Sequence, residues 1–194
     1  MEKDYIRTKL DEENFIASKF EISKITFEEN IDRFIEKIRK GLNGNLDGTW
    51  MLCAKENDKE DYIVCQVASS QDISDEIRKD LNSMLPRTDK DIKWWSSCFY
   101  KNIFKMDYSQ TLRCQKYNHI YNNYNNFAVV IMNYENVFSS FINDYKLSSK
   151  DYENLKKECA EVYLAYKYKA VYWNPNHFNG ECKILKKIKK WNKD

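Results

Sequence analysis

The segment from Gly44 to Val67 constrains the fold more than any other. Two apolar runs, 50–54 (WMLCA) and 62–68 (YIVCQVA), flank the polar stretch KENDKED. That outline predicts a β-hairpin with a charged connection. A hairpin with one wet face alternates apolar and polar residues. Here apolar residues stand at successive positions, so both faces must be covered. A third run, 127–132 (FAVVIM), has the same character.

Helical patterns supply the covering layers. Phe27, Ile31, Phe34, Ile35, Ile38 and Leu42 recur at helical spacing, with Thr26 and Glu29 as a capping box and Gly41 and Gly44 marking the end. Ile73, Ile77, Leu81 and Leu85 keep the period after Ser69-Ser70-Gln71-Asp72, and Pro86 stops it. A helix is expected over 137–145. A longer one, capped at Ser148 or Ser149, is expected to run to about Tyr168, with Tyr152, Leu155, Cys159, Val162 and Tyr166 on one side. Residues 1–22 carry no decisive period, and a short helix and a strand fit them.

The expected fold is therefore α/β (α+β): a small three-stranded, mostly antiparallel sheet flanked by helices, with an aromatic-rich insertion. One domain spans 1–194, with an N-terminal helical segment (1–45), a sheet-helix core (46–86 and 127–176), the insertion (87–126) and a basic tail (177–194). With only 4 Gly and 2 Pro, a Gly-rich phosphate cradle is disfavoured.

The chain carries 32 basic and 30 acidic residues, a balance that announces no nucleic-acid binder by net charge alone. The opening MEKDYIRTKLDEEN has no apolar run behind its charges, and no stretch approaches the ~18 apolar residues of a membrane span. A cytoplasmic protein with no membrane association is expected. The six cysteines form no C-x-x-C pair and read as reduced, largely buried thiols. Cys53 and Cys65 are placed to face each other across the hairpin. Zinc is disfavoured, because His119 and His177 have no ligand-spaced cysteines.

The order strand, strand, helix, insertion, strand, helix resembles the GIY-YIG nuclease domain over residues 46–84 and 127–176. Gly48-Thr49-Trp50 and Tyr62-Ile63-Val64 stand where that family carries its two name-giving motifs. Eleven residues separate Trp50 from Tyr62, which is the family's tyrosine spacing. Glu161 matches the family's helix-borne glutamate, and Asn174 its downstream asparagine. The resemblance implies a metal-dependent DNA endonuclease. Glu161 would hold Mg²⁺, a hard cation that takes oxygen ligands. Tyr62 would orient or activate water, an arginine would steady charge on phosphorus, and Asn174 would position these groups.

The sequence departs from the family in three places. An indole N–H donates but cannot accept a proton, so Trp50 cannot serve as a base. Val64 replaces the second motif's glycine. Asp72 stands at the expected arginine's offset, which leaves Arg78, or Arg113 in the insertion, for that role.

Each of these residues also has a plain structural reading. Trp50 and Tyr62 suit the packing of a small sheet, and Glu161 suits the solvent face of an amphipathic helix. Arg78 suits a surface pair with Asp75 or Glu76, and Asn174 before Pro175 suits a turn. His119 and His177 suit partly exposed polar sites.

The insertion interleaves Trp94, Trp95, Tyr100, Tyr117, Tyr121 and Tyr124 with lysines. That mixture suits stacking on single-stranded nucleic acid, a protein–protein interface, or a second small core with snorkelling lysines. The tail places Lys183, Lys186, Lys187, Lys189 and Lys190 around Ile184, Ile188 and Trp191. It suits a solvated helix or a phosphate-contacting face. Two functions follow. The first is a divergent GIY-YIG-like endonuclease. The second is a non-catalytic binding module that grips a protein or nucleic-acid partner through the insertion. The endonuclease needs Tyr62, Glu161 and an arginine to converge; the binding module lets them scatter.

Overall fold

The computed structural model describes residues 7–9, 15–44, 47–57, 59–85, 94–95 and 111–173. The fold is α+β, as the patterns require, with more strands than expected. The strands are β1 (Arg7–Thr8), β2 (Ile16–Ser23), β3 (Gly48–Lys55), β4 (Tyr62–Ser70), β5 (Trp94–Trp95), β6 (Thr111–Leu112) and β7 (Asn126–Met132). The helices are α1 (Lys24–Gly41), α2 (Ile73–Asn82), α3 (Arg113–Asn123), α4 (Tyr134–Asp144) and α5 (Lys156–Lys167). Five strands form one sheet in the order β1-β4-β3-β7-β2, antiparallel at every pairing. The expected three strands are its centre; β2 and the two-residue β1 flank them.

The two-sided apolar runs do what they predict. Every residue of β3 except Lys55 is buried, and β4 is buried from Tyr62 to Val67. One sheet face packs Trp50, Leu52, Ile63, Phe127 and Val129 against α1, α2 and α3. The other packs Met51, Val64, Val67, Val130 and Met132 against α4 and α5. Phe27 of α1 meets Tyr121 of α3 and Phe127 of β7 edge-on or tilted, at centroid distances of 6.2 and 5.7 Å. The Tyr121 hydroxyl donates to Glu28, tying α3 to α1.

Local expectations shift in four places. α1 starts three residues early, because Ser23 and not Thr26 is its N-cap: the Ser23 hydroxyl accepts from the Thr26 N–H at 3.3 Å. Asn30 leaves helical geometry (φ −141°, ψ 35°) and kinks the helix. α5 begins at Lys156, because two 3₁₀ turns occupy Ser149–Asp151 and Glu153–Leu155. Cys53 and Cys65 do not face each other. Leu52 pairs with Gln66 and Cys53 with Val64, which leaves Cys65 as the extra residue of a bulge. Cys53 therefore packs toward α4 and α5, and Cys65 toward α1–α3.

The part of the insertion built as α3 belongs to the core. Tyr117, Ile120, Tyr121 and the following Tyr124 are buried, and Lys116 is buried with its ammonium donating to Gln66 at 3.0 Å. These aromatics therefore join the main core on the α1 and α2 side of the sheet, not a separate small core of the insertion. Trp94 and Trp95 pair in antiparallel backbone register with Leu112 and Thr111.

Phe27→Ala removes the ring that joins α1, α3 and β7. Urea unfolding should show a loss of about 3–5 kcal/mol, and a loss under 1 kcal/mol would mean that this contact does not hold the layer.

Candidate functional site

Among the described residues, Glu161 is the predicted site residue buried with polar partners inside the core. It sits on α5, whose residues Cys159 to Ala165 are all buried between the sheet and α4. Only 6% of Glu161 is exposed, so the solvent-face reading is overturned. The Trp173 indole N–H donates to its carboxylate at 3.0 Å. Beside it, the Thr49 and Ser69 hydroxyls pair across β3 and β4 at 2.9 Å, and Ser69 Oγ reaches the Lys157 carbonyl at 3.2 Å. One turn earlier on α5, the Lys157 ammonium meets Asp47 at 2.5 Å.

Burial pushes the Glu161 carboxyl from its ordinary 4.5 up to about 7. Hydrogen bonds from Trp173 and Ser69 oppose that shift, and the nearby Glu158 charge adds to it. The residues that shape this environment, Thr49, Ser69 and Trp173, were not singled out as site residues. The signal was present: Thr49 and Ser69 are small polar residues at the ends of two otherwise apolar runs.

The other predicted residues lie elsewhere. Tyr62 starts β4, while Ser69, beside Glu161, is seven residues further along the same strand. At ~3.3 Å per residue, roughly 20 Å separates the two ends. The Tyr62 hydroxyl donates to Glu21 of β2 at 2.6 Å, and the Lys55 ammonium lies over its ring. Trp50, its partner in the family spacing, is fully buried on the opposite face of the sheet. Its indole N–H makes no hydrogen bond among the described residues.

Arg78 is exposed on α2, which packs on the Trp50 side of the sheet, and it pairs with Asp75 at 2.5 Å. Asp72, at the family arginine's offset, is the N-cap of α2 and accepts from the Asp75 N–H at 3.0 Å. The surface-pair reading of Arg78 and the packing reading of Trp50 are the ones the geometry supports. His119 Nδ1 lies 2.6 Å from the Tyr172 hydroxyl. Asn174, His177, Lys183, Lys186, Lys187, Lys189 and Lys190 lie outside the described residues, as do the side chains of Trp94, Trp95 and Arg113.

A Mg²⁺ ion does not fit the Glu161 environment. The carboxylate is buried, its partners are N–H and O–H donors, and its raised pKa favours the neutral form. A hard divalent ion needs ionised oxygens and room for its waters. Among the described residues, no group of three or more acidic, histidine or cysteine side chains gathers to hold a metal. No described helix is long and apolar enough to cross a membrane.

A carboxyl with a raised folded-state pKa favours the fold most at low pH. Its contribution is full below 4.5, declines as pH rises, and is gone above about 7. Glu161→Gln keeps an acceptor for Trp173 without the charge. At pH 8 it should be more stable than the parent by up to about 3 kcal/mol, with the difference vanishing near pH 4. Parallel stability–pH curves for the two proteins would refute the shift. No protein-family model, curated protein or solved structure matches the chain.

Proposed function

We propose that the protein is a non-catalytic binding module. Its three-layer core would hold the segment between Trp94 and Leu112 out to a protein or nucleic-acid partner. One observation carries this reading: Tyr62, Glu161 and Arg78 stand apart, on two sides of the sheet, each engaged by a partner within the fold. A phosphodiesterase needs its metal ligand, its water-orienting group and its cation within contact of one phosphate. Neither face of the sheet brings these three together. The pairing of β5 with β6 brings the two flanks of that segment together. Cys53, Cys65 and Cys159 are buried and form no disulfide among the described residues, which supports a reducing, cytoplasmic setting.

The second reading is the divergent GIY-YIG-like endonuclease acting on DNA with Mg²⁺. A single observation favours it: Glu161 stands on a helix after the third central strand, where the resemblance places a carboxylate.

Incubation of supercoiled plasmid with Mg²⁺ separates the two. The binding module predicts no nicking above that of Glu161→Gln or of an EDTA control. Nicking that both controls abolish would overturn it. A labelled single-stranded oligonucleotide then tests the partner class. Salt-sensitive binding that falls about tenfold or more in Trp94→Ala/Trp95→Ala assigns nucleic acid, and its absence assigns a protein partner.

A further inference from the structure

α1 lies against β2 without filling the space between them. A groove of about 690 Å³ separates the helix from the C-terminal half of the strand. That volume suits a small organic molecule and far exceeds what a bare inorganic ion fills. Ile22 and Phe34 are the buried residues of its lining, and they form an apolar floor.

The helical wall has two chemically distinct halves. Thr26, Asn30, Arg33, Lys37 and Lys40 recur at intervals of three and four residues, so they share one face of α1. Toward the N-terminus stand hydroxyls and an amide. The Ser23 and Thr26 hydroxyls lie 2.9 Å apart, and Asn30 follows one turn on. Toward the C-terminus stand the cations Arg33, Lys37 and Lys40, on successive turns. Both carboxylates of the lining have partners in the protein. Glu36 pairs with Lys40 at 2.9 Å. Glu21 accepts from the Tyr62 hydroxyl at 2.6 Å and meets Lys19 at 3.5 Å. Arg33 and Lys37 therefore give the C-terminal half of this wall a net positive charge.

A second observation falls where the two halves meet. Asn30 leaves helical geometry inside α1, so the helix runs in two parts that join at the groove. The stretch TFEENIDRF around it holds no proline or glycine to account for the kink. Irregular turns inside helices recur at functional sites, because a break in the regular ladder leaves backbone groups for other partners.

We infer that the groove between β2 and α1 binds a nucleoside phosphate. Arg33 and Lys37 would take the phosphate, the guanidinium with paired N–H donors and the ammonium as a point charge. The Ser23 and Thr26 hydroxyls and the Asn30 amide offer donors and acceptors together, which suits the sugar and the base. Ile22 and Phe34 would supply the apolar contact. A bare phosphate engages only the cationic half of the wall, and a neutral nucleoside only the other half. This inference goes beyond the binding-module reading, and it is independent of the segment between Trp94 and Leu112 and of that segment's partner.

The test is isothermal titration calorimetry of the intact protein at low salt. ADP and UDP are the probes; adenosine, uridine and inorganic phosphate are the controls. At least one diphosphate should bind with a Kd below about 1 mM, and at least about tenfold tighter than its nucleoside or inorganic phosphate. Arg33→Glu/Lys37→Glu, both exposed on α1, should weaken that binding at least about tenfold. Lys146→Glu/Lys150→Glu makes the same change of charge at exposed positions between α4 and α5, and should leave binding unchanged. Should the charge-reversed α1 variant not fold, amide chemical shifts in the parent decide: Ser23, Thr26, Asn30, Arg33 and Lys37 should move when the nucleotide is added. Binding of neither diphosphate, equal weakening by the two double variants, or shifts confined to other parts of the molecule would overturn the inference. So would inorganic phosphate that binds as tightly as the nucleotide.

Discussion

Burial of the central strands on both faces is the constraint from which the rest of the structure follows. β3, β4 and β7 expose almost nothing, so helices must cover both sides of the sheet. α1, α2 and α3 do so on one side, α4 and α5 on the other. Among the described residues, both faces of the sheet are covered by helices.

The same constraint explains the state of Glu161. A helix between a sheet and a second helix is buried around most of its girth, and α5 carries a carboxylate into that space. Trp173 and Ser69 meet it with donors, not with further carboxylates or open water. Such a group is costly to ionise, and it fastens the chain after α5 to the sheet. The backbone bonds from Val171 and Tyr172 to β4 reinforce the same attachment. Glu161 thus reads as a buried polar tie between α5, the strand ends and Trp173. Tyr62 plays a similar part across the sheet, reaching Glu21 above the small side chains of Cys53 and Ala128.

The elements legible in the sequence were those in which one strong local signal decides. The hairpin, β7 and α2 have continuous apolar runs or an unbroken period with a cap, and their positions hold to within a few residues. β2 was obscure because its two faces meet different neighbours. Phe20 and Ile22 are buried, while Glu21 is exposed and Lys19 half-buried, so no long apolar run forms. α3 was obscured by composition. Tyr117, Tyr121 and Tyr124 look like a binding surface beside so many lysines and asparagines, and only packing into the cluster that holds Phe27 and Phe127 makes them core. The Cys53–Cys65 relation turned on a single bulge residue, which reverses the side that Cys65 faces and which no hydrophobic pattern encodes.

The sequence by itself determined that this chain builds a two-sided sheet covered by helices, because side-chain period and apolar runs are local properties of consecutive residues. It also supplied every chemical group in question. Only the tertiary structure decided which of those groups meet. Strand order, bulge placement and the side on which each helix packs are set by contacts between segments far apart in the chain. Those contacts put Trp50 and Tyr62 on opposite faces and sank Glu161 between α5 and the sheet.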